Sequence, residues 1–477
     1  MPGLPHVPRF QSRREFLFKA GGGFGALALA SLLQRDGLIA GESVAKAGPF
    51  APKAPQFKPK AERVLFLFME GGPSHLDTFD PKPELTRLNG KTLPASFGTV
   101  ITPMGTGGNK LLASKRSFKQ YGKSGLWVSD WLPHIAACAD DICVLRSCWA
   151  DGLNHVGSVC QMNTGSVLAG RPSLGTWALY GLGTVNQDLP GFVVLTDGGQ
   201  PVGGVRNWGT GFMPSTYQGT YFQSGPSPIL NLQPPADVDG RRQRGKLDLI
   251  GRLNEEHARL RPEDDELQAR INAYELAFKM QAAAPDAVDV SKEPEHVKQL
   301  YGLDRPECAE FVHRCLLARR LLERGVRFVE VYCGAGSQWD AHSNLEGNHT
   351  KMCARCDRPT GALLQDLKQR GLLDSTLVIW GGEFGRTPMT EGKDGRDHNP
   401  YGFTMFFAGG GIKPGQAVGT TDEFGLRAVE TRAHVHDIHA TILHLLGFDH
   451  KKLTFLHNGR EERLTENSGT VIQELLA

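Results

Sequence analysis

The order of apolar and polar residues predicts a sheet made of buried strands. Six apolar runs of strand length recur without the polar alternation of a strand that faces water on one side. They are Val64–Met69, Ile142–Cys148, Gly191–Asp197, Val326–Cys333, Ser375–Glu383 and Phe403–Gly411. Helical patterns separate several of them, at residues 308–325 and 353–374. This alternation predicts a doubly wound α/β fold, with a mostly parallel sheet and helices on both faces.

Patterns between the strands predict the domain organisation. A Pro- and Lys-rich linker at 48–62 precedes an α/β domain at 63–460, and a tail follows at 461–477. Residues from about 200 to 300 are first rich in Gly, Pro and aromatic residues and then become charged and helical. We expect this stretch to be an insertion that covers one edge or mouth of the sheet.

The N-terminal residues 1–47 have the layout of a bacterial export signal. Arg13 and Arg14 precede an apolar run at residues 20–33, and Ala45–Ala47 offers small residues for cleavage. The run is interrupted by glycines and is too short to span a bilayer comfortably. The pattern predicts export by the twin-arginine machinery, a periplasmic or extracellular location, and no permanent membrane span after cleavage.

Composition and charge exclude some classes of protein. With 40% hydrophobic and 22% charged residues the chain is too apolar to be disordered. Its net charge of +2 comes without a basic block, so we expect no nucleic-acid partner. The nine cysteines are odd in number, which excludes a fully paired disulfide framework. The pair Cys353 and Cys356 has zinc-knuckle spacing but no second pair, so helix-packed thiols are the favoured interpretation.

Acidic and imidazole side chains recur where the predicted strands end. Ligands of open α/β sheets gather at the carboxyl ends of strands. The residues concerned are Glu70, Asp340, His342, Glu383 and His398, the last on a predicted loop that folds back to Glu383. Carboxylates and imidazoles drawn from distant segments are typical of a hydrolytic metal site. Ion pairs, such as one between Glu383 and a nearby arginine, and ordinary loop histidines are the structural alternatives.

Several motifs together resemble a known family. They are "FLFMEGGPSHLDTFDPKP", "NHVGSVCQMNTG", "GFMPSTYQGT", "WDAHSN", "DLKQRGLLDSTLVIWGGEFGRTP", "GRDHNPYGFTMFFAGGG" and "VHDIHATILHLLG". The chain resembles, from about Arg63 to Phe455, a bacterial family of twin-arginine-exported proteins catalogued as a domain of unknown function. That family is placed in the alkaline phosphatase and sulfatase superfamily.

The resemblance implies roles for particular positions. Glu70, the Asp340–His342 motif, Glu383 and His398 correspond to metal-binding stations of the superfamily. His155 falls where the superfamily carries its nucleophile, and the sulfatase "C-x-P-x-R" signature is absent. His155 is therefore a candidate nucleophile, general base or metal ligand, with Ser158 and Thr164 as nearby hydroxyls.

The motifs and the resemblance lead to one functional expectation and one alternative. We expect an exported metal-dependent hydrolase of phosphate or sulfate esters, acting on a small-molecule or glycan substrate. One or two divalent ions (zinc, calcium or magnesium) would bind at the strand ends, His155 would act as base or nucleophile, and Arg386 would stabilise charge. The alternative is a non-catalytic envelope protein that uses the fold to bind an anionic glycan or a protein.

Overall fold

The computed structural model describes residues 50–477 except 226–227, 231, 234–237 and 261–264. The predicted export signal at 1–47 lies outside the described residues. Among those described, no helix has both the length and the apolar character needed to cross a bilayer.

Each of the six predicted apolar runs contains a strand. In chain order the strands are β1 (Arg63–Met69), β2 (Phe118–Tyr121), β3 (Leu126–Ser129), β4 (Ile142–Trp149), β5 (Phe192–Thr196), β6 (Thr220–Phe222), β7 (Phe328–Cys333), β8 (Thr376–Gly381), β9 (Gly385–Glu391), β10 (Gly395–Asn399), β11 (Phe403–Ala408), β12 (Gln416–Val418), β13 (Thr420–Thr421), β14 (Ala428–Glu430), β15 (Ala433–His434), β16 (Phe455–His457) and β17 (Arg460–Glu462).

Helices connect many of these strands. They are α1 (His75–Thr78), α2 (Pro83–Arg87), α3 (Pro133–Ala136), α4 (His155–Thr164), α5 (Leu174–Leu182), α6 (Gly240–Leu260), α7 (Asp265–Val288), α8 (Glu295–Tyr301), α9 (Ala309–Glu323), α10 (Leu345–Gln369) and α11 (Val435–Leu445). Short 3-10 turns lie at Ala95–Phe97, Thr106–Gly108, Gly204–Trp208, Ser215–Tyr217, Val290–Lys292, Leu373–Ser375 and Gln473–Leu475.

The central sheet has the strand order β12-β4-β11-β8-β1-β7-β5-β6, and β15 also pairs with β4. Each of these strands runs parallel to its neighbours except β11, which is antiparallel to both β4 and β8. The predicted mostly parallel sheet is confirmed. Strands β1, β4, β7 and β8 therefore end at the same edge, which is where the candidate chemistry collects.

Strand β1 shows why apolar and polar residues do not alternate along the predicted strands. Leu65, Leu67 and Met69 belong to one buried cluster, which includes apolar residues of α9 and α10. Val64, Phe66 and Phe68 belong to a second cluster, which includes residues of α5 and α11. Because helices cover both faces, each face needs apolar side chains. The doubly wound arrangement is confirmed.

The structure also shows where the predicted insertion, the predicted C-terminal tail and the cysteines lie. The stretch predicted as an insertion at about 200–300 contributes β6, the edge strand beside β5, as well as α6 and α7. The predicted C-terminal tail packs onto the domain, since Leu464 and Leu475 are buried and Leu476 bridges to Ile412. All nine cysteines are free and buried, and Cys353 and Cys356 lie within α10.

Candidate metal centre

Helix α4 and the loop after β7 bring the first three residues of the site to the carboxyl edge of the sheet. His155 is the first residue of α4, and the Asn154 side chain caps that helix by accepting a hydrogen bond from the Gly157 N–H at 3.0 Å. Asp340 and His342 lie between β7 and α10. Gly71, the second residue after β1, allows this loop to approach closely: with φ +116°, a Cβ there would lie 2.6 Å from the Asp340 nitrogen.

His398 reaches the site on a strand, which corrects the prediction of a loop. It lies in β10, which forms an antiparallel hairpin with β9, and its cross-strand partner is Arg386. The ladder shifts register between Arg396 and His398. Such an irregularity reorients a side chain relative to a regular strand. The predicted strand at 375–383 is also shorter, since β8 ends at Gly381 and Glu383 lies in the turn that follows.

Three imidazoles surround the Asp340 carboxylate. His155 Nε2 lies 3.3 Å from Asp340 Oδ2, while His342 Nε2 and His398 Nε2 lie 3.1 and 3.5 Å from Oδ1. One ligand atom from each of the four residues falls within 4.8 Å of the others. The ring centroid of His398 is 4.4 Å from that of His155 and 4.8 Å from that of His342. Residues far apart in sequence thus present nitrogen and oxygen atoms to one small volume.

Two imidazole nitrogens of this cluster lack hydrogen bonds. His155 Nε2 and His398 Nε2 are buried and have no hydrogen-bond partner in the described part of the chain, whereas Asp340 Oδ1 lies 2.7 Å from the Arg386 guanidinium. Buried polar atoms in native proteins are almost always paired, and two unpaired imidazole nitrogens that face one carboxylate fit a metal ion as their shared partner. Three imidazole nitrogens and one carboxylate oxygen form a donor set that suits zinc and similar transition metals rather than calcium or magnesium.

The second nitrogen of each imidazole is held by an oxygen atom. His155 Nδ1 lies 2.6 Å from Glu383 Oε1, and His398 Nδ1 lies 3.0 Å from the Leu153 carbonyl oxygen. His342 Nδ1 contacts the Glu391 carboxylate. Such partners fix the tautomer, so that the opposite nitrogen presents its lone pair to a metal.

The charges at the site favour a cation. Burial lowers the pKa of His155, but the carboxylates of Asp340 and Glu383 outweigh it and raise the pKa to about 9. Burial opposes ionisation of Asp340, yet the three imidazoles and the Arg386 guanidinium hold its pKa well below the usual range. Positive charge placed between these groups is therefore stabilised.

Two of the predicted ligands lie behind the cluster. The Glu383 carboxylate accepts hydrogen bonds from the Gly71 N–H at 3.0 and 3.2 Å as well as contacting His155. The Glu70 carboxylate accepts from the N–H groups of Val202 at 2.6 Å and Gly336 at 2.9 Å. Burial and the nearby Glu383 charge raise the pKa of Glu70 to about 8. Both carboxylates therefore bind protein donors, outside the group of four facing residues.

Arg386 is fully buried beside Asp340, with Nη2 2.7 Å from Oδ1. Its Nε donates to the Gly72 carbonyl at 2.9 Å, Nη1 donates to the Arg396 carbonyl at 3.3 Å, and Nη2 donates to the Gly71 carbonyl. The side chain thus connects the turn after β1 to the β9–β10 hairpin. With no exposed surface, it cannot make the predicted contact with substrate oxygens.

A second group of acidic residues and histidine lies next to the cluster, formed by His342, Glu391 and Asp397. The Asp397 carboxylate already accepts from Met104 N–H and Thr106 Oγ1, both at 2.9 Å, and from His398 N–H at 2.7 Å. Its oxygens are satisfied, so this group is the weaker cation site. Glu391 was not predicted from the sequence, because hairpin geometry rather than any local motif brings it to His342.

These observations define an α/β protein with a candidate metal centre at the carboxyl edge of a largely parallel sheet. The chain belongs to the family described as "Protein of unknown function (DUF1501)", whose model matches residues 61–476. No curated protein matches the sequence significantly.

Solved structures with a similar chain path include sulfatases and phosphatases. The sulfatase PsFucS1 from Pseudoalteromonas sp. is 15% identical, with a TM-score of 0.34 over 82% of this chain and 68% of that one. The lipoteichoic acid synthase LtaP from Listeria monocytogenes is 11% identical, with a TM-score of 0.35 over 91% and 82%. Alkaline phosphatase from the Antarctic bacterium TAB5 is 12% identical, with a TM-score of 0.33 over 74% and 92%.

Proposed function

We propose that the protein is a metal-dependent hydrolase of phosphate or sulfate esters, with one transition-metal ion, zinc by preference, held by His155, Asp340, His342 and His398. The observation that carries the proposal is the convergence of three imidazoles and one carboxylate within 4.8 Å, with His155 Nε2 and His398 Nε2 buried and without a hydrogen bond among the described residues. A zinc ion bound there would supply Lewis acidity, polarising an ester oxygen and acidifying water.

The residues around the cluster prepare it for that ion. Glu383 and Glu391 orient His155 and His342, and the Leu153 carbonyl orients His398. We assign Arg386 a supporting role, because it partly neutralises Asp340 and fixes the turn beside it. Both nitrogens of His155 are directed at protein carboxylates, which favours its role as ligand over nucleophile. Water is then the nucleophile that the geometry favours.

One side of the cluster is open to a substrate. The side chains of Asp340 and His342 remain 25% and 31% exposed. A cavity of about 560 Å³ is lined by Tyr401 and by Leu153, whose carbonyl oxygen contacts His398. Arg427 and Arg432 also line this cavity, and neither forms an ion pair within the described residues. Two cationic side chains in a cavity that shares Leu153 with the surroundings of His398 favour an anionic ester as substrate.

The location of the protein is part of the proposal. The twin arginines Arg13 and Arg14 and the apolar run that follows them support export to the periplasm or beyond. Cell fractionation of the wild type and of the Arg13→Lys, Arg14→Lys double variant tests this point. Retention of the variant in the cytoplasm is the expected result, and unchanged export of the variant would contradict it.

Metal content and turnover test the proposed activity. We expect mass spectrometry to find about one zinc ion per chain in the wild type and in His296→Ala, which changes an exposed histidine remote in sequence from the cluster. Asp340→Asn and His398→Ala should lose the ion and, with it, hydrolysis of aryl phosphate or aryl sulfate esters. A folded wild type without metal after zinc reconstitution would refute the proposal. Stoichiometric metal with no turnover of any ester would instead support the non-catalytic binding protein.

A further inference from the structure

Arg146 is a charged residue at an irregular position of the central sheet. It lies in β4, where the antiparallel ladder with β11 shifts register: Leu145 pairs with Met405 and Cys148 pairs with Phe403. On the other edge of β4, pairing with β12 ends at Leu145, and pairing with β15 begins at Cys148. Bulged positions redirect side chains out of the regular pleat. The irregularity thus places an arginine in the wall of a cavity.

The guanidinium of Arg146 has no partner. It forms no hydrogen bond or ion pair within the described part of the chain, and its Nε atom is buried and unsatisfied. Burial lowers the pKa of Arg146, and the Asp80 charge only partly offsets this. The Asp80 carboxylate is itself engaged by Lys82 at 3.1 Å and Thr421 Oγ1 at 2.5 Å. Arg146 is partly buried and lines the cavity, so an anion bound there would pair with a guanidinium that no carboxylate of the described residues contacts.

The cavity beside Arg146 has the size and lining of a small-molecule site. Its volume is about 670 Å³, within the range of small-molecule pockets. Trp127 and Phe118 contribute aromatic surface from one face of the β2–β3 hairpin, since Trp127 pairs with Gln120, two residues from Phe118. The Trp127 side chain is 39% exposed.

Polar groups surround this aromatic surface. Hydroxyl groups of Ser114 and Thr420 and the carboxylate of Glu430 line the same cavity. Carboxylates and hydroxyls accept hydrogen bonds from O–H groups, while a flat apolar ring contacts the C–H face of a sugar. None of the four cluster residues belongs to the lining, so the cavity is separate from the candidate metal centre.

We propose that this cavity binds a small anionic sugar, with its carboxylate or sulfate on Arg146 and its ring against Trp127. The unpaired guanidinium accounts for the anion, and the combination of an aromatic face with hydroxyl and carboxylate groups accounts for the sugar. The proposal goes beyond the hydrolase function and does not depend on it, because it uses no residue of the metal centre.

Titration calorimetry on the purified protein tests the site with sodium galacturonate, neutral galactose and sodium sulfate. We expect galacturonate to bind at least tenfold more tightly than galactose. Arg146→Met should weaken galacturonate binding about ten- to hundredfold, since it removes a charge-assisted contact. Trp127→Ala should weaken galacturonate and leave sulfate unchanged. Arg460→Met, which changes an exposed arginine, is the matched control and should bind like the wild type. Asp340→Asn should also bind like the wild type, which separates this site from the metal centre.

Thermal unfolding separates ligand binding from a structural role of Arg146. Without ligand, Arg146→Met should melt at the wild-type temperature or above it, because the variant removes a partly buried charge that makes no ion pair with the described residues. A melting temperature several degrees lower would make Arg146 structural and overturn the proposal. Wild-type galacturonate affinity in Arg146→Met, or equal affinity for galacturonate and galactose, would also overturn it. Arg146→Lys, which keeps the charge but loses the planar fork, provides a second variant and should weaken galacturonate binding less than Arg146→Met.

Discussion

The contact between Glu383 and His155 allows a quantitative test of the candidate metal centre. Glu383 is fully buried, and its Oε1 atom lies 2.6 Å from His155 Nδ1. Glu383→Gln keeps the shape of the side chain and an oxygen that can accept the Gly71 hydrogen bond. It removes the negative charge that fixes the His155 tautomer and strengthens the imidazole as a ligand.

The expected loss is intermediate in size. Removing the partner of a metal-bound imidazole typically weakens metal affinity about 10- to 100-fold, or about 1.4–2.7 kcal/mol. Loss of a direct ligand should cost more, so Asp340→Asn should bind zinc more weakly than Glu383→Gln. The ordering of the two variants therefore distinguishes a residue that orients a ligand from a ligand itself.

Competition with a chromophoric zinc chelator measures these affinities, with His296→Ala as control. The purified variants are first compared by circular dichroism, so that unfolding is not mistaken for metal loss. Wild-type zinc affinity in Glu383→Gln would refute the orienting role. A loss as large as that of Asp340→Asn would restore Glu383 as the direct ligand that the sequence predicted.

Three further predictions concern stability. Burial, followed by the Glu70 charge, raises the pKa of Glu330 to about 8. The folded state therefore favours the protonated carboxyl group. The contribution of this group to the free energy of unfolding is full below the unfolded pKa near 4.5 and is lost as pH rises through 8. At about 1.4 kcal/mol per pKa unit, urea unfolding should show a decline of a few kcal/mol between pH 5 and 9, which Glu330→Gln flattens. Gly71→Ala puts a Cβ 2.6 Å from the Trp339 and Asp340 nitrogens at a positive φ; it should lower the free energy of unfolding by about 1–3 kcal/mol and reduce zinc content, whereas wild-type values for both would refute the close approach. Chelation should lower the melting temperature of the wild type by several degrees but not that of Asp340→Asn, because a bound ion stabilises only the folded state; equal melting curves with and without chelator would contradict a structural ion.

The sequence was sufficient to predict the scaffold of the site. Unbroken apolar runs such as Val64–Met69 are diagnostic of strands covered on both faces, and the ends of such strands are where Glu70, Asp340 and Glu383 lie. Because these strands pair in parallel, their carboxyl ends, and the residues that follow them, lie at one edge of the sheet. The prediction of acidic residues at that edge needed no tertiary information.

The sequence could not predict which of these side chains face the cluster and which only orient a neighbouring imidazole. Glu383 and His342 each lie after the end of a strand. Only the folded course of the two loops determines that the His342 side chain faces the cluster and that the Glu383 carboxylate faces a backbone N–H group. His398 lies in a hairpin whose register shift sets its direction. Glu391 contacts His342 across 49 positions of sequence, and no local pattern identifies that contact.

The buried thiols have a consequence for the conditions under which the chain can fold. All nine cysteines are free and buried, and burial raises the pKa of every one of them. Thiols held in the protonated form react slowly with oxidants and with disulfides. Folding therefore needs no oxidant, and the folded protein should resist mispaired cross-links under oxidising conditions.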